Sequence, residues 1–163
     1  QLLRALGARL VFATDIVESR RRWAEKFGAD ETFNATDEDL RTLVLNATEG
    51  RGVDRIIVAS GNVKAIESSL PAVRKGGKVL LFGIPPERSI FNCDVSDVFM
   101  REITLIPSYS TTENEMKTAL EMMAAGKIQL TKMITHRFGL AEIADAFRVA
   151  EDARSSLKVM VQG

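Results

Sequence analysis

Short apolar runs alternate along the chain with longer stretches in which apolar residues recur every three or four positions. Leu10 to Thr14 is the first short run, and Glu18 to Phe27 the first helical pattern, with Gly28 placed to stop it. "ETFN", residues 31–34, is a brief strand candidate. Asp37 is positioned to cap a helix that runs to about Ala47 and is broken by "EGRG" at 49–52. "VDRIIVAS" at 53–60 and "KVLLFG" at 78–83 are continuous apolar strands. Between them Val63 to Val73 is helical, with Gly76-Gly77 as its stop. "EITLIPSYS" at 102–110 is a further strand, and Glu113 to Ala125 an amphipathic helix ended by Gly126. "LAEIADAFRVAEDA" at 140–153 is a last helix and "LKVMVQ" at 157–162 a last strand. The stretch from Pro85 to Met100 is the least regular.

Strands that lack in/out alternation predict burial on both faces, and so a parallel sheet covered by helices. Strand and helix in strict turn predict an α/β, doubly wound domain. No internal repeat and no low-complexity segment interrupts the pattern. Gln1 opens inside a helical pattern, "QLLRALGA", with Leu2, Leu3 and Leu6 on one face, Gly7 as its stop, and neither an initiating Met nor a cap. The expectation is a section of a longer chain.

Composition narrows the function classes. With 163 residues, 45% apolar and 27% charged, the chain reads as an ordinary soluble domain with a sizeable core. Lys plus Arg equals Asp plus Glu at 22 each, so net charge provides no general attraction to nucleic acid or to a membrane. No stretch approaches a membrane span and no signal peptide is visible. Cys93 and His136 are each the single residue of their type. That rules out an internal disulfide and a dedicated structural zinc site, which wants four N or S ligands. A reducing, cytoplasmic setting is the expectation.

In an open parallel sheet, ligands bind beyond the carboxyl ends of the strands, and Asp15 stands at such an end. A carboxylate there accepts hydrogen bonds from the ribose hydroxyls of an adenine nucleotide and repels a 2′-phosphate, so it selects NAD over NADP. An Asp before a helix is also an ordinary cap, and on position alone the two readings stand level. The usual companion is a Gly-rich loop roughly 20 residues upstream. That distance falls before residue 1, as would the first strand of the sheet. The expected fold is therefore a Rossmann-type sheet lacking its first strand and its Gly-rich loop.

At this point the chain as a whole resembles the cofactor domain of the medium-chain, zinc-type alcohol dehydrogenase superfamily, in its polyol (sorbitol) and threonine dehydrogenase branch. "GARLVFATD…R…AEKFGAD" is similar to that family's second strand and following helix. "GVDRIIVASGN" is similar to the fourth strand, "GGKVLLFGIPP" to the fifth and "EITLIPSYS" to the sixth. "ALEMMAAGKIQLTKMITHRFGLAEIADAF" followed by "LKVMV" is similar to the C-terminal return. Each motif is weak alone; their order and spacing over nearly all 163 residues are specific. The resemblance makes residues 1–163 a partial dinucleotide-binding domain whose catalytic zinc-carrying half is absent. It implies NAD as cofactor, zinc bound by the complete enzyme but not by this chain, and a small alcohol or polyol as substrate. It also implies a homo-oligomer, dimer or tetramer, joined edge to edge near the sixth strand, where "SIFNCDVSDVFMREITLIP" supplies Ile90, Phe91, Val95, Val98 and Phe99. Pro107 departs from the family, which often has glycine before the "SYS" turn; it removes a backbone donor there.

The same resemblance suggests site residues, each with a plainer reading beside it. Arg20, five positions after Asp15, would reach the adenosine ribose, or would belong to a solvated face with Arg21 and Arg22. Ile16 would stack on adenine, or cover the core. Ser60-Gly61 would let cofactor and backbone approach closely, or form an ordinary turn. Gly83-Ile84 would run beside the nicotinamide ring, and Ser108-Tyr109 would face it. Lys158 would meet the pyrophosphate, or be a common strand-edge Lys. These strand ends are expected to gather in one crevice. His136 is expected in a loop away from it, with no catalytic residue in the chain. Cys93 is read as packing, Trp23 as a core or interface residue, and Met116, Met122 and Met123 as packing residues. Two alternatives remain on sequence alone: a non-catalytic nucleotide-binding or assembly fragment, and an S-adenosylmethionine-dependent methyltransferase domain, which also ends its second strand on an acid.

Overall fold

A computed structural model describes residues 1–36, 39–152 and 154–163. The elements follow the predicted alternation: α1 (Leu2–Ala5), β1 (Phe12–Thr14), α2 (Glu18–Lys26), β2 (Glu31–Phe33), α3 (Leu40–Ala47), β3 (Val53–Val58), α4 (Val63–Ala72), β4 (Val73–Leu81), α5 (Val95–Met100), β5 (Thr104–Pro107), α6 (Glu113–Ala124), β6 (Ile134–Gly139), α7 (Ile143–Glu151) and β7 (Lys158–Gln162). All strand pairs are parallel: β1 with β2, β3–β4–β5 in that order, and β6 with β7. The fold is the α/β class expected. Gly28 and Gly126, read as helix stops, both take positive φ, 108° and 68°.

Two compact units divide the chain: Gln1–Asp37 with Thr112–Gly163, and Glu38–Thr111. In the second, Val58, Ile66, Leu70, Val73, Val79 and Ile103 form the buried core, where α4 lies against β3 and β4. Ile56, Leu81, Leu105, Phe91, Val98 and Cys93 pack around it. α3 is capped by Asp39, whose carboxylate accepts from Arg41 N at 3.1 Å and Thr42 Oγ1 at 2.8 Å. Asp37, the expected cap, lies outside the described residues.

Four expectations change. The pair Gly76-Gly77 is not a helix stop. α4 ends at Ala72, one residue after Pro71, and Val73 already belongs to β4. The β3–β4 register then shifts from Val53↔Val73 to Arg55↔Lys78, and the glycines sit in the irregular stretch. A Cβ at Gly77 would lie 2.4 Å from Val73 Cγ2, so only glycine fits. Next, the "irregular" region contains α5, capped by Asp94, which accepts from Asp97 N at 3.1 Å. The loop expected around His136 is strand β6, with His136 opposite Val159. Finally, within this unit the buried core lies against one face of β3–β5. The opposite face carries Arg55, Lys78 and Thr104 in one row and Ile57, Leu80 and Ile106 in the next. Ile57 there is 45% exposed and Ile106 37%. Apolar residues on both faces made these strands read as doubly buried, and residues of this unit cover one of the two. Pro107 is tolerated because β5 is an edge strand and Pro107 its last residue; Ser108 N bonds Leu81 O at 3.0 Å directly after it.

Candidate functional site

β1 is too short to hold its own end, and the residue after it, Asp15, is fixed by three hydrogen bonds. Its N–H donates to Phe33 O at 3.2 Å, extending the β1–β2 ladder. One carboxylate oxygen, Oδ1, accepts from Val17 N at 2.8 Å, so the cap reading of Asp15 is present in the geometry. Its carbonyl accepts from Arg21 Nη1 at 2.7 Å. The second carboxylate oxygen has no protein partner among these bonds. Ile16 follows, 65% exposed.

Asp15 and Arg20 border a cavity of about 960 Å³ within the unit formed by the two ends of the chain. Its walls are largely apolar, with Phe12 and Ala13 from β1, Trp23 from α2, Phe27 just after α2, and Met122 from α6. Trp23 stacks on Phe27 with ring centroids 5.5 Å apart, and Lys26 Nζ lies 4.7 Å over the Trp23 ring. Trp23 is thus a packing residue with one face towards the cavity. Of the three methionines read as packing, Met122 lines this cavity and Met123 is half-buried, whereas Met116 is exposed. Arg4 steadies the entry to β1: it donates to Gly28 O at 2.8 Å and Arg9 O at 2.7 Å and pairs with Asp30. The Val11 N–H, with Arg4 second, holds the Asp30 carboxyl below the ordinary carboxylate range.

Leu157 lines the same cavity, and Lys158 follows it as the first residue of β7, exposed. Ser19 Oγ donates to Arg154 O at 2.6 Å, which ties the start of α2 to the approach to β7. His136 is half-buried in β6; its Nδ1 lies 3.0 Å from Thr135 Oγ1 and its ring stacks on Phe138. Thr135 also accepts from Leu157 N at 3.1 Å, so this group holds β6 to β7.

The other unit brings together the ends of its three strands. Gly83 N donates to Val58 O at 2.9 Å, and Ser108 N to Leu81 O. Gly61 and Gly83 are required by each other's chains. A Cβ at Gly61 would sit 2.1 Å from Ile84 O, and one at Gly83 would sit 2.3 Å from Ser60 C. The close approach expected of a ligand is therefore made by backbone on backbone. Ser60 Oγ accepts from Asn62 N at 3.1 Å. Ser60, Ile84, Ser108 and Tyr109 are all exposed at this end, Tyr109 at 82%. Sequence reasoning missed Arg21, which it left in a solvated face. A signal was available: three consecutive cations near a helix N-terminus run against the helix dipole and call for local partners.

Residues 1–125 match the zinc-binding dehydrogenase family. The chain belongs to that family. It is 33% identical over 164 residues to the D-arabitol-phosphate dehydrogenase of Enterococcus avium, covering 99% of this chain and 46% of that protein. It is 30% identical over 159 residues to the sorbitol dehydrogenase of Bacillus subtilis strain 168, covering 97% and 44%. The chain thus spans less than half the length of these relatives. Among solved structures, the benzyl alcohol dehydrogenase of Acinetobacter calcoaceticus superposes with a TM-score of 0.89 over 97% of this chain and 44% of that one, at 21% identity. A zinc-binding dehydrogenase of Sinorhizobium meliloti 1021, solved with NADP, gives 0.86 over 99% and 47%, at 26% identity. A short chain alcohol dehydrogenase of Escherichia coli CFT073, solved with NADH, gives 0.87 over 99% and 47%, at 22% identity. The fold is therefore that of the cofactor-binding domain of these dehydrogenases. Among the described residues of this dehydrogenase chain, no group of three or more His, Cys, Asp or Glu is placed to hold a metal ion. The described residues therefore offer no ligand set for zinc. No helix among them is long and apolar enough to cross a membrane.

Proposed function

We propose that the chain is the NAD-binding portion of a cytoplasmic alcohol or polyol dehydrogenase, and that the complete enzyme takes NAD in preference to NADP. The observation that carries this reading is Asp15: a tethered carboxylate at the end of a parallel strand, whose second oxygen has no hydrogen-bond partner among the described residues. That oxygen would accept from an adenosine ribose hydroxyl, while its charge disfavours a 2′-phosphate. Ile16 would offer an apolar face to adenine, Arg20 would lie by the ribose, and Lys158 by the pyrophosphate. Ser60-Gly61, Gly83-Ile84 and Ser108-Tyr109 would border the nicotinamide end. A bound nicotinamide would supply the hydride acceptor for the substrate alcohol. The chain's own residues bind and orient it; the catalytic groups and zinc would come from the other half of a longer protein.

The first strand and Gly-rich loop would also come from that half. Two observations support this. Among the described residues β1 has a strand partner on one side only, and the cavity beside it is apolar. A loop whose N–H groups receive the pyrophosphate is normally a large part of dinucleotide affinity.

The test is cofactor choice in the complete dehydrogenase. Replacing Asp15 by Ser should weaken NAD and narrow the NAD-to-NADP ratio of kcat/KM by about tenfold or more, since one lost charge-assisted hydrogen bond is worth ~1.5–3 kcal/mol. An unmutated enzyme that prefers NADP would overturn the reading.

A further inference from the structure

We propose that Arg21 is a positioning residue of the nucleotide site, acting through Asp15. The inference rests on the reading of Asp15 as the ribose acceptor and adds a residue to it.

A carboxylate reads a ribose only if its backbone is held to within a fraction of an ångström. Phe33 O holds the N–H side of Asp15. That bond is the last of the β1–β2 ladder, and among the described residues no backbone N–H of β2 donates to the Asp15 carbonyl. Arg21 supplies that bond, with Nη1 2.7 Å from Asp15 O. Its own N–H donates to Val17 O at 3.2 Å, so the side chain folds back from the first turns of α2 onto the strand end. The guanidinium thus fixes the peptide plane that follows Asp15, and with it the direction in which the carboxylate leaves the chain.

The three neighbouring arginines divide into separate roles. Arg22 is exposed and pairs with Glu18 one turn back on the same helix. Arg20 borders the cavity beside Asp15. Arg21 is half-buried and points its charge at a backbone oxygen. A cation at this end of a helix is electrostatically unfavourable and needs a local gain to offset it. The Asp15 carbonyl is that gain. A Lys keeps a donor but loses the planar fork; a Met keeps the stem and loses every donor.

The experiment uses the complete dehydrogenase and measures NADH dissociation constants by fluorescence, with kcat and the KM for NAD alongside. Arg21→Met should raise both the NADH dissociation constant and the KM for NAD by about three- to tenfold, less than loss of the acceptor itself because Arg21 acts through Asp15, and leave kcat unchanged. Arg21→Lys should recover most of the loss. Arg22→Met, which removes an exposed ion pair from the same helix, should change neither constant. In an Asp15→Asn background, Arg21→Met should cost little more, because both changes disable one acceptor. Full additivity, or an Arg21→Met enzyme that melts earlier but binds NADH like the wild type, overturns the proposal. If Arg21→Met does not fold, Arg21→Gln carries the same comparison. The underlying reading fails separately, if Asp15→Asn alone leaves NADH binding unchanged.

Discussion

Replacing Arg101 by Met should destabilise the unit of residues 38–111 well beyond the loss of a surface ion pair. Arg101 stands just after α5 and donates to Leu70 O at 2.9 Å and Val73 O at 2.7 Å. Both carbonyls lie where α4 gives way to β4, around the buried Ala72 and Val73. Its Nε also meets Asp97 at 2.8 Å. Two bonds from a charged donor to half-buried carbonyls are together worth about 2–3 kcal/mol, discounted for partial exposure. The Asp97 pair, one turn apart with the acid half-exposed, adds only about 0.3–0.5 kcal/mol. Arg101→Met should therefore lower the melting temperature by roughly 5–10 °C, at about 2–4 °C per kcal/mol for a chain of this size. Asp97→Asn should shift it by only about 1–2 °C on the same scale. Hydrogen exchange is the sharpest assay: amides of α4 and β4 should exchange faster in Arg101→Met. Trp23 lies in the other unit, so its fluorescence serves as an internal reference. If the two variants are equally stable, the carbonyl bonds carry no weight and the argument is wrong.

Gly83→Ala should fail to accumulate as folded protein, because its Cβ would meet Ser60 backbone atoms at 2.3–2.6 Å; a normally folded variant seen by circular dichroism would contradict this. The Asp30 carboxyl, held low by Val11 N–H and Arg4, should contribute stability that is complete above the ordinary carboxylate range. That contribution should be lost as pH falls through the lowered value, and a stability–pH curve unchanged by Asp30→Asn would contradict it. Ile90, Val95, Phe99 and Met100 are exposed, whereas Phe91 and Val98 pack against the core. Phe99→Glu should therefore shift the protein towards monomer in light scattering, and an unchanged mass would assign Phe99 no part in assembly.

The order of elements was legible because it rests on local rules. Apolar periodicity, a capping acid and a stopping glycine act within a few residues, and Glu18–Lys26, Val53–Val58 and Glu113–Ala124 lie close to where those rules put them. Asp15 was legible for the same reason, since a strand, an acid and a helix are adjacent in sequence. β6 escaped because "ITHRFG" has little apolar alternation, and its strand state depends on β7, more than 20 residues later. Gly76-Gly77 looked like a helix stop because glycine marks any unusual backbone; only the register between β3 and β4 decides which kind. Gly61 was read as a close approach of ligand to backbone and Gly83 as a border of the ring; in the fold, the backbone at Ile84 closes on Gly61 and the backbone at Ser60 closes on Gly83. Arg21 belongs to the same class. Its neighbours in sequence are two more arginines, and nothing local separates the three. Side-chain reach of several ångströms across the end of α2 gives each a different partner, and only the folded chain determines which.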